Sequence, residues 1–162
     1  MLATVAGAAG CRLLVPTDQR PAPPDPDVVV TMRALAAEQA LIDAYALFAE
    51  RHGSLANRLA AFRRRHTAHR EALHARLPVD ASGRVVTPTP AAPATPSASA
   101  SPETSSSPRT GDSLASLVAA EHAAAEDRLA DALHASPTLA EVLASIGACE
   151  AAHVELLAGL DG

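Results

Sequence analysis

The stretch Leu55-Ala-Asn-Arg58-Leu59-Ala-Ala-Phe62-Arg63-Arg64-Arg65-His66-Thr-Ala-His69-Arg70-Glu71-Ala-Leu73-His74-Ala-Arg76-Leu77 places Leu55, Leu59, Phe62, His66, His69, Leu73 and Leu77 at intervals of three and four. That spacing lays the seven side chains along one stripe of an α-helix, the stripe a globular protein turns toward its interior. His66 and His69 occupy the middle of it, while Arg63, Arg64 and Arg65 take the flanking, wetter positions. Two imidazoles are therefore set into the core-facing side of a helix.

The same pattern recurs along the chain. Leu139, Val142, Leu143, Ile146, Cys149, His153, Leu156 and Leu160 form one apolar face, with Glu150 beside it in a row with Leu143 and Leu157. Upstream, Glu38 lies between Leu35 and Ile42, with Tyr45 a turn further on, and Glu121 lies between Val118 and Ala125. Four helices are predicted: Val28 to Arg51, stopped by Gly53; Ser54, as N-cap, to Leu77 before Pro78; Asp112 or Ser113 to Ala135; and Ser136-Pro137 to Leu160. Leu35-Ala-Ala-Glu38-Gln39-Ala40 parallels Val118-Ala-Ala-Glu121-His122-Ala123, and His66-Thr-Ala-His69-Arg-Glu71 parallels Glu150-Ala-Ala-His153-Val-Glu155 at nearly the same offset. A duplicated helical hairpin explains both matches.

Composition agrees. About a quarter of the 162 residues are Ala, the best helix former, and no segment alternates with the two-residue period of a strand. An all-β or α/β fold is excluded. The expected fold is all-α, an antiparallel four-helix bundle in which residues 28–78 and 113–160 form two hairpins. Residues 79–112 connect them; their centre, from Pro88 to Pro108, is too poor in large apolar side chains to offset its ordering entropy and is expected to be disordered. Residues 16–27 hold five prolines and read as an extended tether.

A net charge of −5 and an aromatic content of 2% exclude nucleic acid as the main partner. The Arg cluster of the second helix (Arg58, Arg63, Arg64, Arg65, Arg70, Arg76) is expected to dock on the acidic second hairpin. Glu126, Asp127 and Asp131 read as a solvated face, as do His52, His74, His122 and His134. No phosphate loop, nucleophile elbow or Cys-x-x-Cys is present.

Several ionisable groups at one level of a bundle are less costly when a cation sits among them. Glu150 and His153, three residues apart, project from one helix face and can reach the same ion. Two simpler accounts stay open: Glu38 and Glu121 reach water at the edge of Ala-rich faces, or the histidines and carboxylates satisfy one another in a metal-free polar layer.

At the amino end, residues 1–10 are small, apolar and uncharged and precede Cys11, which resembles the lipobox of bacterial lipoproteins, although Ala8 stands where Leu is usual and no basic residue precedes the run. Cleavage before Cys11 would leave its thiol for a lipid anchor. Over roughly residues 11–160, leaving aside the crossover, the chain resembles the ferritin-like superfamily, in particular the small Ala- and Arg-rich ferritin-like lipoproteins of actinobacteria. The Cys-Arg-Leu-Leu-Val-Pro-Thr run, the Leu-Ala-Ala-Glu-Gln start and the Pro/Ser crossover carry the likeness.

The resemblance implies an extracytoplasmic protein held at the cell membrane by lipid on Cys11, with a metal centre in the bundle core. Glu38 and Glu121 take the lone-Glu roles, and Glu150 with His153 fills the Glu-x-x-His motif. His66 stands where the family has Glu, giving His-x-x-His with His69. Fe, Mn or Zn is the expected ion, the extra imidazole shifting preference toward Zn, Cu or a single Fe or Mn. Members of the group carry no assigned reaction, a metal-dependent oxidoreductase being the enzymatic option. The competing expectation is a metal-free structural or interaction protein, and assembly with further copies of the chain stays open.

Overall fold

The computed structural model describes residues 23–86 and 111–160. Four helices account for most of them: α1, Pro26–Arg51; α2, Gly53–His74; α3, Leu114–Ala132; and α4, Pro137–Ala158. No β-strand forms among the described residues, and only an isolated bridge pairs Val79 with Val85. Among the described residues the fold is all-helical, with four helices in the places read from the periodicity. None of the described helices is long and apolar enough to cross a membrane. Cys11 and residues 87–110, which include the centre of the connecting segment, lie outside the described residues.

Helix ends follow local chemistry. The Asp25 carboxylate accepts the Asp27 N–H at 2.9 Å, and Pro26, lacking an N–H, opens α1 where no donor is needed. His52 alone separates α1 from α2. The expected cap at Ser54 is not used, because the Leu55 N–H already bonds the His52 carbonyl at 2.9 Å and closes the first turn of α2 earlier. The second helix ends at His74 and tightens through bonds from Arg76 N–H to Leu73 O (2.9 Å) and from Leu77 N–H to His74 O (3.1 Å). A capping box opens α3: Ser113 Oγ accepts the Ser116 N–H and Ser116 Oγ accepts the Ser113 N–H, each at 3.1 Å. Ser136 precedes Pro137 as expected, but its side chain makes no cap bond; its N–H donates instead to Asp27 Oδ1 at 3.1 Å, tying the starts of α4 and α1 together.

The helices pair α1 on α2 and α3 on α4, and the pairs meet through α1–α3 and α2–α4. Two apolar clusters result. One gathers Ala44, Tyr45, Phe48, Leu59, Leu114, Leu117 and Leu157; the other gathers Ala34, Leu73, Leu139, Leu143 and Ile146. On α1, α2 and α4 the buried polar residues between the two clusters are the Glu and His positions singled out in the sequence.

Two further features differ from the sequence reading. Arg58, Arg63, Arg64, Arg65, Arg70 and Arg76 are exposed and make no ion pair among the described residues. The arginine pairs that cross between the two halves are Arg33–Asp131 and Arg51–Asp112. The α2 arginines flank the buried stripe and point to water, where ion pairing gains little. Asp131 is buried at 7% exposure rather than solvated, because it lies on the inner stripe of α3 with Leu117, Glu121 and Arg128.

Candidate metal centre

Every helix contributes to one buried polar layer: Glu38 from α1, His66 and His69 from α2, Glu121 from α3, and Glu150 and His153 from α4. Glu38 and Glu121 are both 0% exposed, so the account in which they reach water at a helix edge does not hold. The registers explain the convergence. Glu38 follows Ala34 by four residues, His66 and His69 share a face with Leu73, and Glu150 follows Ile146 by four and precedes Leu157 by seven.

His66 is the hub of the layer. Its Nδ1 stands 2.8 Å from Glu38 Oε2 and its Nε2 stands 2.9 Å from Glu121 Oε1, so the two ring nitrogens face carboxylates of two different helices. On the Glu38 side, His69 Nδ1 lies 3.4 Å from Glu38 Oε1. On the Glu121 side, Oε1 also accepts the Tyr45 hydroxyl and meets His153 Nδ1 at 3.1 Å. Rings seal this side of the layer: Tyr45 stacks on Phe62 with centroids 5.7 Å apart, and Phe62 meets His153 edge-on at 4.7 Å. The other nitrogen of His153, Nε2, is 3.6 Å from Cys149 Sγ.

The electrostatics follow. Burial works against a charged His66 ring, but the bonds to Glu121 and Glu38 and their charges outweigh it and raise the imidazole to about 9. Burial pushes Glu38 upward, and the His66 hydrogen bond, the His69 ring 3.4 Å away and the charges of both overcome that, holding the carboxyl at about 2. Glu121 is likewise held below its ordinary range despite burial, by His153, His66 and Tyr45. Glu150 goes the other way. Burial, with the negative charge and the neighbouring carboxyl of Glu38, raises it to about 9, opposed by Arg128. Tyr45 is raised by burial and by the Glu121 carboxylate, and Cys149 is raised chiefly by burial.

Some of the layer's hydrogen-bonding capacity is unspent. Both oxygens of Glu150, Oε1 of Glu38, Oε2 of Glu121 and Nδ1 of His69 are buried without a hydrogen-bond partner. Buried polar atoms in native proteins are nearly always satisfied, and a cluster of orphaned oxygens and imidazole nitrogens marks a place for a further ligand. The donor chemistry suits a transition metal ion, since carboxylate oxygen with imidazole nitrogen is the set that Fe, Mn and Zn accept. Two groups have ligand atoms mutually within 4.8 Å: Glu38, His66, His69 and Glu150; and His66, Glu121 and His153. Together they contain the six residues predicted from the sequence and no others.

Sequence reasoning missed one participant. The Arg128 side chain is 0% exposed, its Nη2 is 3.7 Å from Asp131 Oδ2, and none of its three guanidinium nitrogens has a hydrogen-bond partner. Gly147 of α4 makes room for it: a Cβ there would lie 3.1 Å from Arg128 Cβ and 3.2 Å from the Ala125 carbonyl oxygen. The signal was available, because Arg128 follows Glu121 by seven residues and so lies on the same helix face.

Compared with known proteins, the chain matches no family model, no curated protein and no solved structure.

Proposed function

We propose that this protein is a ferritin-like bundle that binds a transition metal ion through its interior Glu/His layer, exported and held at a membrane by lipid on Cys11. The observation that carries the metal reading is the convergence of six buried ligand-type side chains from four helices with five of their polar atoms left unpartnered. The order of the apolar clusters along the helices supports the ferritin-like topology. α1 runs from the Ala34 cluster to the Tyr45 cluster, α2 and α3 run back from Leu59 and from Leu117, and α4 returns from Leu139 to Leu157. An up-down-down-up arrangement of this kind needs one connection that traverses the bundle between α2 and α3, which is where the longest connecting segment falls. Export and anchoring rest on the run before Cys11 and are tested by labelling the full-length chain with radiolabelled fatty acid in an actinobacterial host, with Cys11→Ser abolishing incorporation.

Protein purified without chelator is expected to carry at least a substoichiometric transition metal and to bind added Zn2+ or Mn2+ with a rise in melting temperature. Less than a tenth of an equivalent of every transition metal, with no response to added ion, overturns the reading.

One observation favours a second reading. His66 is bonded at both nitrogens, which a metal-free polar layer fixing helix register would also require. Replacing His69 and His153 together by Leu separates the two. A metal centre loses its ion, whereas a metal-free layer keeps the fold and gains thermal stability.

A further inference from the structure

The two candidate ligand groups share one residue, and that residue presents a different atom to each. His66 Nδ1 faces the side holding Glu38, His69 and Glu150, while Nε2 faces the side holding Glu121 and His153. A carboxylate bridge brings both of its oxygens to one side of a site and holds two ions about 3.5–4 Å apart. An imidazole offers its two nitrogens in diverging directions. With metal–nitrogen bonds of about 2.0–2.1 Å on each, the ions stand about 6 Å apart.

We infer that His66 bridges two metal ions through its opposite ring nitrogens, one ion in the Glu38–His69–Glu150 set and a second in the Glu121–His153 set. The inference rests on the metal-binding reading above and adds to it the number of ions and the group between them. The two sets are unequal. With His66 the first supplies four protein ligands, the complement of a closed site; the second supplies three, which leaves a coordination position for water or an exchangeable ligand.

Ligand atoms on both sides of the His66 ring support two ions. The unpartnered atoms are also divided between the sets: Glu38 Oε1, His69 Nδ1 and both oxygens of Glu150 on one side, Glu121 Oε2 on the other.

Cu2+ is a suitable probe, because its unpaired electron reports a bridging ligand. The full-length protein titrated with Cu2+ is expected to bind two equivalents, and its electron paramagnetic resonance signal is expected to fall well below the intensity of two isolated ions through exchange coupling across the ring. His153→Ala removes a ligand from the three-residue set alone. This variant is expected to hold one equivalent with the full signal of an isolated ion. His66→Gln is expected to abolish the coupling whatever its stoichiometry, provided its circular dichroism is native; if it is not, the His153→Ala comparison decides. One equivalent in the native protein, two equivalents with undiminished signal, or coupling that persists in either variant overturns the inference while leaving metal binding intact. No bound copper at all overturns both.

Discussion

Arg128 and Asp131, one turn apart on α3, form an ion pair inside the bundle, with Nη2 3.7 Å from Oδ2 and the arginine side chain fully enclosed. Arg does not give up its proton, so its charge must be met where it lies. Asp131→Asn is therefore expected to cost about 3–5 kcal/mol, the usual penalty for stranding one partner of a buried pair. Arg128→Met is expected to cost less, because it removes the buried charge and leaves Asp131 paired with Arg33, which reaches solvent. Urea denaturation of both metal-free variants checks the order, and an Arg128→Met loss as large as that of Asp131→Asn would contradict it.

Protons and metal compete for the same atoms. His66 and Glu150 both titrate near 9 in the metal-free fold, so each holds a proton at pH 7 that a bound cation must displace. Calorimetric titration with Zn2+ at pH 7, in buffers of different ionisation enthalpy, is expected to show release of about three protons per protein, one from Glu150 and both ring protons from a bridging His66, and an affinity that falls as pH drops. Heats that do not vary with the buffer would refute this.

The same two groups set the pH dependence of the metal-free protein. His66 is raised from 6.5, so its stabilising effect is complete below that value and is lost as pH rises through about 9. Glu150 is raised from 4.5; between 4.5 and about 9 the unfolded chain has released a proton that the folded chain keeps, which also lowers stability as pH rises. Glu38, lowered to about 2, adds stability as pH rises from there to 4.5. The melting temperature without metal is expected to peak near pH 5 and decline toward pH 9. A melting temperature that climbs between pH 6 and 9 would count against the buried arrangement of these groups.

Much of this site could be read from the sequence because its residues interrupt apolar stripes. His66 and His69 between Phe62 and Leu73 cannot face water without taking those neighbours with them, and Glu150 is locked to Leu143 and Leu157 in the same way. Arg128 and Asp131 are hard to place from the sequence because their neighbours Glu126 and Asp127 are charged, and a run of charges reads as one wet face; the seven-residue step from Glu121 to Arg128 carries the contrary information. The pairing of Arg33 with Asp131, 98 residues apart, has no local signature. Ser54 reads as a helix start on composition, but the one-residue connection at His52 closes the turn first. Short connections are set by how the two helices pack, which local propensity does not encode.

Tyr45 tests how the Glu121 carboxylate is held. Its hydroxyl donates to Glu121 Oε1, the same oxygen that meets His66 Nε2 and His153 Nδ1. Tyr45→Phe keeps the ring stacked on Phe62 and removes only the donor. A hydrogen bond to a charged group in such a place is worth about 1.5–3 kcal/mol, and the metal-free variant is expected to lose stability in that range. Once an ion takes up the charge of Glu121, the hydroxyl has less to stabilise, so the loss measured with saturating Zn2+ is expected to be smaller. Comparing thermal or urea midpoints of Tyr45→Phe and the native protein, each with and without Zn2+, gives the difference directly. An equal loss in both states would mean that Glu121 keeps its charge and its hydrogen bonds whether or not metal is present, and would remove it from the ligand set.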